Sequence, residues 1–448
     1  MTTPSSVDPS SRLPDVEWAA RLPRGFRAGA ATAGVKASGR PDLAVVLVDG
    51  GEGAVAATFT PNRFASAPVL LSRQSLGGGG RHGRVAALLS VSGCANAATG
   101  DGGLEDQRRL AQVLADAIGT QPERTLSVAT GMIGPRYPMD RLVPALETLA
   151  SGPLSTDDAS FESVAEALRT TDSKAKWATV RFDLPGPSGS AVPVTVSGIA
   201  KGVGMIHPRM ATMLAYVLTD AAVSPEVLSG LLRPVVARTW DQLTVDGDTS
   251  TSDTVYLVAS GGSGATPVAP GRPGWDAFAA AVEAVCRSLA RQQAADGEGA
   301  TSLLTCVVIG ARDDAEARAA ARAVVGSSLL KAAVHGRDPN WGRVAGALGN
   351  AQLADAAVLE ASGLSPEEAT RRGGTRLDLD PDRVRITIAG TDVFHGLPLD
   401  VDKAAVSRAM DGPEVVVRVD LGAGDGVGEA FGCDLTEAYV RENSEYST

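Results

Sequence analysis

The sequence predicts an α/β fold with mixed or antiparallel sheets rather than a doubly wound one. Three observations carry that expectation. Short runs rich in Val and Leu alternate with Ala-rich stretches at helical spacing. Several neighbouring runs are separated by turn sequences short enough for hairpins. The regular strand–helix alternation of a dinucleotide-binding domain is missing.

Taken in order, residues 1–15 are polar and proline-bearing and read as a disordered tail. LAVVLVDGG at 43–51, VAALLSVSG at 85–93 and TLSVATG at 125–131 read as strands ending in glycine turns. GGGG at 77–80 reads as a loop tip. LEDQRRLAQVLADAIG at 104–119 places its apolar residues at helical spacing and stops at Gly119. PGPSGS at 185–190 is a turn between the strands ATVRFDL and VPVTVSG. A long helix over 277–297 ends at Gly297, and another covers Asp314–Val325. RVRITIAG at 383–390 and EVVVRVDLG at 414–422 return to strand.

Length and charge bound the function. The 448 residues suffice for two or three domains. A net charge of −11 argues against nucleic acid or an anionic membrane as partner. The four cysteines are far apart and form no CxxC, which fits reduced thiols in a cytoplasmic protein. No signal-peptide pattern opens the chain, and no apolar run reaches bilayer length.

Four segments are candidates for chemistry. TGMIG at 130–134 presents Thr130 and Gly131 at a strand end. It reads as an ordinary turn or as a pair of donors, hydroxyl and backbone N–H, for a developing oxyanion. KGVGMIHPRMATMLAY at 201–216 sets two glycines and a proline before Ala211 and Thr212. It reads as a loop leading into a buried element or as an autoproteolysis site. In the second case the Thr212 hydroxyl attacks the preceding carbonyl, and the product is a threonine with a free α-amine. An α-amine ordinarily titrates at about 7.7–8.0, so it can serve as base for its own side chain. TVDGDTSTSDTV at 244–255 lacks calcium-loop spacing and reads better as hydroxyl and carboxylate turns bracing a site. HGRDPNWGR at 335–343 reads as a tight loop, a site wall or an interface; His335 has no Ser or Cys partner suggested by sequence.

In order along the chain, KGVGMIHPRMATML, VDGDTSTSD, DGEGAT, HGRDPNWGR and GCDLTEAYVRENSEYST resemble signatures of the ornithine acetyltransferase family, the bifunctional glutamate N-acetyltransferases of arginine biosynthesis. The resemblance runs from residue 24 to residue 448. KGVGM, RYPM at 136–139 and the NSEY ending are similar to the type found in clavulanic acid gene clusters. The resemblance implies an αββα sandwich like that of N-terminal-nucleophile hydrolases but differently connected. That domain would span 16–310 and a smaller α/β domain 311–448. It implies cleavage at Ala211–Thr212 into an α chain of 1–211 and a β chain from 212, assembling as α2β2 or larger. It makes Thr212 the nucleophile and Thr130 and Gly131 the oxyanion hole. Lys201 becomes a substrate-contacting lysine and Glu298 the carboxylate for the amino group of ornithine. Asn443 and Thr448 become further substrate contacts, as does either Thr170 or Thr171. The implied chemistry is ping-pong acetyl transfer from N-acetylornithine to glutamate, with amino-acid substrates and no cofactor or metal.

The sequence departs from the family pattern in places. Val91 and Cys94 stand where asparagines are frequent, Trp240-Asp241 where FN is common, and Ser302 where a lysine often follows DGEGAT. TTDSKAK replaces TTDT…PK. These departures leave a secondary-pathway role and a different acceptor open. The rival readings are an amidase or aminopeptidase that passes the acyl group to water, and a non-catalytic assembly protein.

Overall fold

The computed structural model describes residues 13–207 and 213–445. Most of the expected tail, residues 1–12, lies outside them. The described chain groups into two compact units, one of 14–235 with 248–289, the other of 236–247 with the chain from Ala290 onward.

The first unit contains two sheets. Strands β1 (Phe26–Ala31), β2 (Leu43–Val48), β3 (Gly53–Phe59), β4 (His82–Val85), β5 (Ala87–Cys94), β6 (Thr125–Met132), β7 (Lys176–Pro185), β8 (Ala191–Lys201), β9 (Leu214–Thr219) and β10 (Thr254–Ala259) build it. One sheet runs β1-β2-β5-β6 and the other β4-β3-β10-β9-β8-β7. Most neighbours are antiparallel, while β5–β6 and β9–β10 are parallel. Alternation along the strands sorts side chains to opposite faces. Leu88, Val46 and Val128 pack with Tyr216, Leu218 and Tyr256 of the other sheet in one core. Leu89, Val45 and Ala129 turn the other way, onto Leu110, Leu114, Leu142 and Leu146. Those leucines belong to helices Gly100–Ile118 and Met139–Ser151. Gly198 of β8 lies where a Cβ would strike Val285 and Leu289 of helix Trp275–Ala295. The layers are therefore helix, sheet, sheet, helix.

Local signals account for several boundaries. Gly119 caps its helix in the left-handed conformation, φ 71°, and its N–H donates to the Ala115 carbonyl. The turn at 185–190 joins β7 and β8 into a long hairpin, closed by Gly186 N–H to the Ser190 carbonyl at 2.7 Å. Gly77–Gly80 makes a single tight turn, with Gly78 and Gly79 at positive φ.

The second unit is a six-stranded mixed sheet. It comprises β11 (Leu303–Ala311), β12 (Arg385–Ile388), β13 (Thr391–His395), β14 (Leu397–Pro398), β15 (Glu414–Asp420) and β16 (Gly426–Cys433). Its order is β14-β13-β12-β15-β11-β16, with β11 and β15 parallel. Residues 310 and 311, where the sequence suggested a boundary, are the last two of β11. Helix Asp314–Val325 begins and ends as its sequence suggests, and Asp313 caps it by accepting from Glu316 N–H. In the HGRDPNWGR segment His335 closes one helix and Asn340 caps the next, while Trp341 stacks on Phe394 at 4.9 Å. No described helix is long and apolar enough to cross a membrane.

Candidate active site

Ala211, Thr212 and Thr448 lie outside the described residues. The other candidates fall into two groups, one in each unit.

In the first unit the next-to-last residues of β5 and β6 are glycines of positive φ, Gly93 at 102° and Gly131 at 124°. They are register partners, and a Cβ on Gly131 would come within 2.3 Å of the Gly93 carbonyl carbon. Only glycine fits that position. Thr130, one residue earlier, is buried, and its Oγ1 accepts a hydrogen bond of 3.2 Å from Lys201 Nζ. Lys201 ends β8 and faces Leu214 of β9 across the ladder.

The Lys201 ammonium also lies 3.9 Å from Asp172 Oδ2. Asp172 is held on its other oxygen by Lys176 Nζ at 2.7 Å and Gly202 N–H at 2.7 Å. Burial alone would push the Asp172 carboxyl up. The ammonium groups of Lys201 and Lys176 overcome it and hold the carboxyl far below its usual range. Lys36, whose Nζ donates to the Pro41 and Ala167 carbonyls, belongs to the same neighbourhood. Burial first, then the charge of Lys201, lowers its ammonium to about 8 against the pull of Asp42 and Asp172. Thr170 is half-buried and its N–H donates to Asp172 Oδ2 at 3.3 Å, while Thr171 is exposed.

Asp172 and Lys176 escape sequence reasoning. Four residues apart, they suggest a helical pair, yet the segment before β7 is irregular. They meet because β7 begins at Lys176, opposite Ala200 and beside Lys201.

The backbone after β8 is strained. Gly202 has φ 136° and Met205, a residue with a side chain, has φ 53°. At the start of the next described segment, Met213 N–H donates to Asp253 Oδ1 at 3.1 Å. Asp253 is fully buried, and its Oδ2 has no hydrogen-bond partner among the described residues. Burial drives its carboxyl far above the usual value, against the Met213 N–H hydrogen bond and the charge of Lys201. The hydroxyl turns expected around it are present: Ser252 N–H donates to Ser250 Oγ and Thr60 Oγ1 to the Ser250 carbonyl.

In the second unit the C-terminal segment is fastened to the DGEGAT loop. Asp434 accepts from Thr301 N–H at 2.8 Å and Ser302 N–H at 3.0 Å, and His335 Nδ1 lies 3.2 Å from it. Thr436 Oγ1 donates to the Gly299 carbonyl at 2.7 Å. Gly299 has φ 66°, and a Cβ there would meet Tyr439 N at 2.3 Å. These ties bring Asn443 Nδ2 to Glu298 Oε2 at 2.9 Å. Glu442, missed by sequence reasoning, joins them. Partial burial first, and then the Glu298 charge, raises its carboxyl. Two adjacent carboxylates suit an ammonium ligand.

Two of the sequence departures are core positions. Val91 and Cys94 pack among the apolar residues between the four-stranded sheet and its helices. Trp240 is buried and donates from Nε1 to Gln293 at 2.7 Å. Ser302 donates to the Gly412 carbonyl.

The ArgJ family model matches residues 27–448. The arginine biosynthesis bifunctional protein ArgJ of Thermus thermophilus is 44% identical over 430 residues, spanning 96% of this chain and 100% of its own. That of Deinococcus radiodurans is 41% identical, spanning 97% of this chain and 99% of its own. Among solved structures, an ornithine acetyltransferase of Mycobacterium tuberculosis complexed with ornithine is 32% identical. It covers 45% of this chain and 99% of its own, with a TM-score of 0.38.

Proposed function

This chain belongs to the ArgJ family, and from that premise we propose that it transfers an acetyl group from N-acetylornithine to glutamate through acetyl-Thr212. It is an acyltransferase of the arginine-biosynthesis type. The chain first cuts itself at Ala211–Thr212, and the freed α-amine then takes the Thr212 hydroxyl proton as Oγ attacks the acetyl carbonyl. The Thr130 hydroxyl and the Gly131 N–H stabilise the tetrahedral oxyanion. Ornithine leaves, its ammonium held by Glu298 with Asn443 and Glu442 beside it. Glutamate then attacks the acetyl-enzyme and restores free Thr212. Thr448, and Thr170 or Thr171, complete the substrate contacts. The cut chains assemble as α2β2 or larger in the cytoplasm.

The observation that carries this reading is the convergence of Thr130, Gly131 and Lys201 beside β9, the strand that opens two residues after Thr212 in sequence. The relatives are named for arginine biosynthesis, and Val91 and Cys94 are core residues. Both favour that pathway over a secondary one.

Thr212→Ala should abolish both cleavage and turnover. Denaturing electrophoresis and an assay of ornithine release check it, and an uncut, active protein would overturn the mechanism. Addition of glutamate should accelerate ornithine release; acetate released regardless of glutamate would favour the hydrolase.

A further inference from the structure

We infer that the second unit carries a further ligand site, a cleft centred on Arg318 that takes a basic α-amino acid. The cleft lies between the start of helix Asp314–Val325, the stretch 362–372 and residues 425–426. None of the residues assigned to catalysis or substrate above lines it.

The cleft measures about 510 Å³, within the range of small-molecule sites. Arg318 stands on the second turn of the helix. Among the described residues its half-buried guanidinium makes no hydrogen bond and no ion pair. Burial lowers its pKa first; Asp314 raises it, and the like charge of Arg238 lowers it again. A poorly solvated cation without a partner is unfavourable until an anion completes it. Arg372, in the same cleft, shows the usual arrangement: its Nη1 donates to Asp313 Oδ2 at 2.5 Å and to Glu368 Oε1 at 3.1 Å. The helix has little room to shift and relieve Arg318. A Cβ on Gly428 of β16 would lie 2.6 Å from the Arg318 nitrogen, and one on Gly426 2.2 Å from the Asp313 carbonyl carbon. The guanidinium is therefore presented from a rigid base.

The carboxylates of the cleft narrow the ligand class. Asp314 accepts from Val427 N–H at 2.9 Å through Oδ1, and its Oδ2 has no hydrogen bond among the described residues. Asp425 is exposed. An α-carboxylate on Arg318 with an α-ammonium on Asp314 or Asp425 answers both signs at once. The lining holds three guanidinium groups and four carboxylates, so one negative charge is left over. That surplus repels phosphate and a dicarboxylic amino acid, and it favours an amino acid with a second ammonium group.

Equilibrium dialysis of labelled L-ornithine against the whole purified protein tests the site. The wild type should bind two molecules per protomer, one with Glu298 and one in the cleft, and Arg318→Met should bind one. The loss at the cleft should be at least about tenfold in affinity, the scale of one charged hydrogen bond. Asp425→Asn should weaken the same site by about threefold or more. Thermal melting confirms folding, and the exposed Asp425 position carries the test should Arg318→Met not fold.

The same number of sites at the same affinity in wild type and both variants would overturn the inference. So would displacement of the Arg318-dependent ornithine by L-glutamate or inorganic phosphate at lower concentration than by L-ornithine itself. A single wild-type site that Arg318→Met removes would keep the cleft and overturn the Glu298 reading instead.

Discussion

Lys36 shows how one half-buried cation marks the electrostatics of its surroundings. Its ammonium falls from an ordinary value of 10.5 to about 8, through burial first and the Lys201 charge next. Between those values the unfolded chain binds a proton that the folded chain has released. Stability from this group therefore rises as pH climbs through that window. Below about 8 the folded protein carries the charged, poorly solvated form. The melting temperature of the wild type should thus gain on that of Lys36→Met between pH 8 and 10, a difference that melting curves across that range will measure. Equal shifts in both proteins would refute it. Nothing in the sequence around KASGR singles out this lysine, because its environment comes from the end of helix Asp158–Leu168, more than a hundred residues away.

At the scale of elements, the close approach of β5 and β6 at their next-to-last residues is the demanding feature. Gly131→Ala would add a methyl group 2.3 Å from the Gly93 carbonyl carbon and force a φ of 124° on alanine. The backbone strain alone costs about 1–3 kcal/mol. The variant should melt several degrees lower and lose most turnover, and melting with a kinetic assay checks both. Elements of this kind are legible when local signals agree. Helix Gly100–Ile118 has its periodic leucines and its terminal glycine, and the β7–β8 hairpin has its Pro-Gly turn. Thr130 and Gly131 are legible as a turn, and their function only through the motifs around them. The Asp172–Lys176–Lys201 array is not legible, since it depends on strand register rather than on sequence spacing. The fastening of the C-terminal helix by Asp434 and Thr436 is likewise invisible in sequence, where chain ends read as frayed.

At the scale of the whole molecule, the α/β class and the mixed sheets follow from hydrophobic periodicity, because period and turn chemistry are local. The grouping of 236–247 with the chain beyond Ala290 does not, because a short segment carries no signal for which core it joins. The order of the larger sheet, β4-β3-β10-β9-β8-β7, has a consequence for a cut chain. Strands β9 and β10 would belong to the fragment beginning at 212, and β3 and β8 on either side of them to the fragment ending at 211. Cleavage would then break one covalent link and no ladder hydrogen bond, yet it changes the molecularity of unfolding. Each intact Thr212→Ala protomer unfolds to one chain, so its midpoint in denaturant should vary with protein concentration only through association between protomers. Each cut protomer unfolds to two, so its midpoint should rise more steeply as concentration increases. A dilution series followed by circular dichroism reads the difference, and equal concentration dependence in the cut and intact proteins would contradict it. Self-processing would thus trade a covalently continuous protomer for a free amine, with the sheet itself acting as the clasp.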